Sequence, residues 1–211
     1  MNPWEERFPR LWAFGEKVSV LVISGLMFFL LGALIITIPV AIVGVLAAVA
    51  ALIRPVPGEP LIRFWRGVRR SFGRATLLGL VNVVIGFILW FDVRFFWAMG
   101  TTLTRIAAYL FISLGFVVAM ANVYAWPLLA WYPQPFGKLV RRSLMLAAAH
   151  PFQALLGLLG IVVLVLLFLV LPGVLKSLPV LLGPGLVGFF MGSAAWQAMK
   201  RYAGPDDDFA E

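Results

Sequence analysis

Residues 61–74 read L-I-R-F-W-R-G-V-R-R-S-F-G-R. Leu61, Phe64 or Trp65, Val68 and Phe72 recur at the three-to-four-residue spacing of one helical face. Arg63, Arg66, Arg69, Arg70 and Arg74 fill the rest. Apolar runs too long for a soluble core flank this stretch on both sides. A helix with five arginines and bulky apolar side chains next to a membrane is expected to lie in the interface rather than cross it. Positive charge collects on the cytoplasmic face, so the stretch orients the remainder of the chain.

Of the 211 residues, 63% are hydrophobic and 12% charged, where soluble domains run near half apolar and about a quarter charged. The excess is spread along the chain, which implies a polytopic membrane protein with no separate soluble domain. The net charge of +8 does not point to nucleic acid, because the basic residues lie between apolar spans, where their role is topological. Anionic lipid headgroups are the expected partner. The chain has no cysteine, which excludes disulfides, iron–sulfur clusters and thiol chemistry. The first apolar run is too long for a cleavable signal peptide.

Residues 1–17 form a short tail in which Trp4, Phe8, Trp12 and Phe14 alternate with charged residues, expected to be cytoplasmic and interfacial. Residues 18–53 carry no charge. One span needs about 20 residues, so two fit only with a tight turn near Thr37-Ile38-Pro39. Pro39 would then open the second helix; the alternative is one long helix kinked at Pro39. Beyond the breaker Pro55-Val56-Pro57-Gly58-Glu59-Pro60 and the basic helix, spans are expected at 75–91, 106–131, 146–171 and 180–199. Asp92, Arg94 and Arg105 are assigned to a loop between the first two of these. Residues 136–144 repeat the amphipathic theme, with Lys138, Arg141 and Arg142. The acidic segment 204–211 is expected to be a disordered tail.

The distribution of Lys and Arg favours two spans in 18–53. Six spans with both termini cytoplasmic place 14 of these residues inside and 3 outside, whereas five spans give 11 and 6. The fold expected is therefore all-α: a transmembrane bundle of about six spans with two cytoplasmic amphipathic interfacial helices. The membrane domain covers 18–203. Within it F-W-R-G-V-R-R-S-F at 64–72 matches F-G-K-L-V-R-R-S-L at 136–144, which suggests a parallel internal repeat of units 61–132 and 136–203.

The Thr-Ile-Pro turn, R-F-W-R-G-V-R-R-S-F-G-R-A-T-L-L-G-L at 63–80, W-F-D-V-R-F-F at 90–96 and Y-A-W-P-L-L-A at 124–130 together resemble the YesL-like family of small bacterial membrane proteins, whose function is unknown. The chain departs from that family's pattern where Pro39 replaces the glycine that tends to follow Thr-Ile. Members are often encoded beside carbohydrate-uptake ABC transporters. The resemblance therefore implies an accessory or assembly role in sugar uptake at the bacterial inner membrane, with an ABC permease subunit or a second copy as protein partner. It supplies no catalytic residue.

An ionisable or amide group within a span is a functional candidate by default. Asn82 and Asn122 lie inside spans, where an interhelical hydrogen bond competes with lining a solute path. His150 precedes Pro151, where bonding to backbone freed by the proline competes with proton relay. Asp92 would form an interfacial ion pair with Arg94 or belong to an outer vestibule. Convergence of Asn82, Asn122, His150 and Asp92 on one void would favour the alternative function, a small-solute transporter or channel. No metal set, cofactor motif or catalytic cluster is legible, so no enzyme, metal or cofactor is expected.

Overall fold

The computed structural model describes residues 9–54, 59–132, 134–173 and 177–202, with seven α-helices and one 3-10 turn among them. The helices are α1 (Pro9–Gly32), α2 (Ile38–Ile53), α3 (Pro60–Ala98), α4 (Thr102–Trp131), α5 (Phe136–Ala149), α6 (Pro151–Val170) and α7 (Ser177–Tyr202). Six segments are long and apolar enough to cross a membrane. They fall on every helix except α5, so the chain is a polytopic helical membrane protein. The first eight residues of the expected tail and the acidic segment 204–211 lie outside the described residues.

The charge-free run folds as two helices. A 3-10 turn at Ile35–Thr37 separates α1 from α2, and Pro39 stands in the first turn of α2. A proline there forfeits no helical hydrogen bond, since the first N–H groups of a helix have no internal acceptor. The Thr37 hydroxyl closes the turn by donating to the carbonyls of Leu31 and Leu34. Upstream, α1 starts at Pro9, so residues 9–17 are continuous with the first span rather than a separate interfacial piece.

α2 is the hub of the bundle, touching α1, α3, α4 and α7. After Pro39 its sequence is Val, Ala, Ile, Leu and Gly with no polar face, and a helix apolar all round belongs in the middle. Val40, Val43, Leu46 and Val49 are fully buried. The second half of α4, from Met120 to Trp131, and residues Met191, Ala194, Ala195 and Ala198 of α7 complete the core.

Three expectations are corrected. First, the basic stretch 61–74 is not a separate interfacial helix. It is the opening of α3, a single 39-residue helix of roughly 58 Å at 1.5 Å per residue. Nothing interrupts it, because Gly73 is tolerated within a helix and no proline follows until Pro127. The second basic helix does break from its span: Pro151 disfavours helical backbone at the preceding residue, and His150 adopts φ −130°, ψ 59°. Segments 61–132 and 136–203 thus differ at this joint.

Second, the apolar residues read as one face of the basic helix do not share one environment. Phe64, Gly67, Val68, Ser71, Ala75, Leu78 and Gly79 are buried, while Leu61, Trp65 and Phe72 are 41–50% exposed. Gly67, Ser71, Ala75 and Gly79 recur every four residues, a small-residue ladder that lets α3 close on α2. A Cβ at Gly67 would stand 2.7 Å from the Ala47 Cβ, and one at Gly79 would overlap the Pro39 ring. Lipid is as apolar as leucine, so large side chains gain nothing by turning inward, and close backbone contact selects the small ones.

Third, Asp92, Arg94 and Arg105 are not in a loop. Asp92 and Arg94 are on α3 and Arg105 is on α4. Only residues 99–101 connect the two helices. Gly100 takes φ +73°, and Thr101 caps α4 by accepting the N–H of Thr104. The result is a long two-helix hairpin. Between residues 80 and 119 only Ala108 is buried. Phe96 stacks on Phe111 with ring centres 5.5 Å apart, and Trp97 meets Tyr109 edge-on at 5.8 Å.

Candidate functional site

Two polar assemblies stand out, one between α3 and α4 and one at the basic end of the bundle. In the first, Asn82 and Asn122 face each other. Each side-chain NH2 donates to the other's carbonyl oxygen at 2.8 Å, and the Asn122 NH2 donates also to the Val118 carbonyl at 2.9 Å. The pair closes on itself, with both amide oxygens accepting and both nitrogens donating.

His150 lies elsewhere. Its backbone carbonyl accepts the Tyr124 hydroxyl at 2.7 Å and the Ala154 N–H at 3.3 Å. The residue acts here through its main chain, at the joint between α5 and α6. Asp92 makes no hydrogen bond or ion pair with another described residue, and the expected pair with Arg94 does not form. Residues two apart on a helix point to different sides, so the spacing was wrong for contact. Three cavities, of about 780, 510 and 380 Å³, are lined by none of these four residues. The structure brings Asn82 and Asn122 together and leaves His150 and Asp92 apart from them.

The second assembly follows from the end of α4. Pro133 has no N–H, so the Leu129 carbonyl loses its helical donor, and the chain turns away before one can reach Ala130. α3 supplies replacements: the Ser71 hydroxyl donates to the Leu129 carbonyl at 3.4 Å, and the Arg70 guanidinium donates to the Ala130 carbonyl at 2.5 Å. Trp131 turns its indole N–H to the Leu46 carbonyl of α2 at 3.1 Å. Arg54, the first charge after the apolar run, reaches into the same corner. It donates to the Tyr132 hydroxyl at 3.2 Å, and its guanidinium carbon lies 4.8, 5.5 and 5.8 Å from the ring centres of Trp131, Tyr132 and Trp196.

A protein-family model described as "Protein of unknown function, DUF624" matches residues 20–93. No curated protein and no solved structure matches the chain. The matched stretch carries α2 and most of α1 and α3, and so includes Arg54, Arg63, Arg70, Asn82 and Asp92. Their partners Asn122, Ala130, Tyr132 and Trp196 lie beyond it.

Of the eight basic residues expected to meet headgroups, Arg66, Arg69, Arg74, Lys138 and Arg141 are exposed. Arg70 and Arg142 are exposed but held, the latter donating to the Gln134 side-chain oxygen at 3.1 Å. Arg63 departs from the expectation: it is 7% exposed, on the face of α3 turned inward. Sequence reading missed Arg54, Tyr124, Trp131, Tyr132 and Gln134. The usable signal was Pro133, which leaves the carbonyl four residues earlier without a helical donor. The described residues hold no group of three or more His, Cys, Asp or Glu side chains that could bind a metal.

Proposed function

We propose that this protein is an accessory or assembly subunit of a bacterial inner-membrane complex, associated with a carbohydrate-uptake ABC transporter. The observation that carries the reading is the closed amide pair. A solute path needs polar groups free to trade partners with the passing solute. Asn82 and Asn122 are instead satisfied by each other and serve helix packing, and none of the three cavities is lined by them, His150 or Asp92. The α3–α4 hairpin beyond residue 80 adds a long apolar surface, with Val83, Phe87 and Trp90 each 60–70% exposed. Partner helices could pack there.

The match over residues 20–93 is compatible with the YesL-like resemblance, from which the link to sugar uptake is taken. The orientation that accompanies the proposal puts both termini in the cytoplasm, with Arg54 and the basic end of α3 at the inner leaflet. Purification of the tagged, full-length protein in mild detergent tests it. An ABC permease eluting with the protein is the expected result. A monodisperse protein without a partner, whose reconstituted vesicles take up a solute, would overturn it in favour of the transporter reading.

A further inference from the structure

Arg54, the residue just after α2, and Arg63 and Arg70 from α3 gather at the basic end of the bundle, where Arg63 and Arg70 both feel the charge of Arg54. Like charges do not gather around a buried guanidinium without compensation. None comes from the described residues: the carboxylates among them are Glu16, Glu59 and Asp92, and none forms an ion pair. Glu59, one turn before Arg63, is exposed and gives Arg63 only its backbone carbonyl, at 3.1 Å.

The donors left over are specific. Nε and Nη1 of Arg63, Nε of Arg54 and the side-chain nitrogen of Gln134 are buried and meet no hydrogen-bond partner among the described residues. Arg63 and Gln134 are 7% and 5% exposed. A buried donor without an acceptor is costly, and a buried cation more so. Of these groups, Arg54 is also held in place by three aromatic rings and the Tyr132 hydroxyl. Its orientation is fixed rather than adaptable.

We propose that this corner is a binding site for a phosphate group. Guanidinium forks match the oxygens of phosphate, which can accept from Arg54, Arg63 and Arg70 at once. An open groove of about 780 Å³ runs along α3 beside it, lined by Leu61, Ile62, Trp65, Arg66, Arg69 and Arg70. Arg70 belongs to both groove and cluster, so a phosphate carrying an acyl chain has an apolar track leading away from its headgroup. The phosphate is either that of an anionic lipid or that of a soluble compound.

Thermal unfolding of the full-length protein in neutral detergent tests the site. The probes are phosphatidylglycerol, inorganic phosphate at constant ionic strength, and diacylglycerol. Phosphatidylglycerol or inorganic phosphate is expected to raise Tm by about 5 °C near saturation. A response to the lipid alone assigns the site to headgroups, and a response to inorganic phosphate assigns it to a soluble ligand. Arg63→Met is expected to unfold no earlier than the parent without probe, since it removes an uncompensated buried charge, and to lose the shift. Should Arg63→Met not fold, Arg70→Gln is expected to at least halve the shift. No shift with either phosphate probe, an equal shift with diacylglycerol, or a full shift in the variant that folds would overturn the proposal. So would a shift that appears only when Asp206, Asp207 and Asp208 are changed to Asn, because the chain's own acidic segment would then be the occupant.

Discussion

Asn82 and Asn122 offer a direct measure of what the intramembrane polar groups do. Replacing Asn122 by Ala removes both reciprocal 2.8 Å hydrogen bonds and leaves the whole Asn82 amide facing apolar neighbours. Replacing Asn82 by Ala removes the same two bonds, but the Asn122 nitrogen keeps the Val118 carbonyl. Interhelical hydrogen bonds in membranes average about 0.6 kcal/mol and reach about 1.7. Two such bonds plus a stranded amide give about 2 kcal/mol for Asn122→Ala and about 1.5 for Asn82→Ala. The double variant leaves no amide stranded and is expected to cost about 2, a coupling of roughly 1.5 kcal/mol. Equilibrium unfolding in mixed micelles, followed by tryptophan fluorescence, provides the four free energies. Single effects that add to within about 0.4 kcal/mol would refute the closed pair and return both amides to the pool of groups able to face a solute.

Three further outcomes follow from the packing. Gly67→Val puts side-chain atoms against Ala47 and is expected to destabilise the protein by about 1–3 kcal/mol, whereas Gly86→Ala meets nothing within 4 Å and gains about 0.5–1 kcal/mol of helix propensity; the same unfolding assay separates them. Tyr124→Phe deletes the bond to the His150 carbonyl and is expected to cost about 1 kcal/mol without changing detergent-solubilised oligomeric state, checked by unfolding and light scattering. Changing Arg69, Arg70, Arg141 and Arg142 together to Glu reverses the charge bias at both basic helices and is expected to scramble orientation; unchanged accessibility of introduced cysteines would rule this out.

Much of the fold was legible from where charge is absent. The uncharged run 18–53, with Pro39 placed to open a helix, left room for two crossings, and the balance of Lys and Arg favoured them over one kinked helix. The second basic helix was legible from Lys138, Arg141 and Arg142, but the span expected from residue 146 begins at Pro151. The apolar stripe at 61–72 was read as one face lying in the interface, but α3 divides it: Phe64 and Val68 are buried, and Leu61, Trp65 and Phe72 are exposed. Close approach to α2 decides what is buried there: a Cβ at Gly67 would meet Ala47 and one at Gly79 the Pro39 ring. Asp92 and Arg94 suggested a loop because charge near a span end usually marks one, yet a helix can carry charge past the apolar zone without breaking. The asparagine pair was anticipated residue by residue as competing roles, but their meeting depends on the register of α3 against α4, which neither helix encodes alone. The arginine corner escaped notice because its members come from the residue after α2, from α3 and from the segment after α4. Only the tertiary packing brings Arg54 under Trp131 and Trp196.

The central structural claim is that six crossings carry residues 9–202 back and forth, with the basic helices sharing one side. The chain has no native cysteine, so single cysteines at Glu16, Met99, Lys138 and Pro172, all exposed, report sidedness without background. A membrane-impermeant maleimide applied to sealed, right-side-out vesicles is expected to label Met99→Cys and Pro172→Cys while sparing Glu16→Cys and Lys138→Cys until the membrane is opened. Labelling of Glu16→Cys together with Met99→Cys in sealed vesicles would contradict the account.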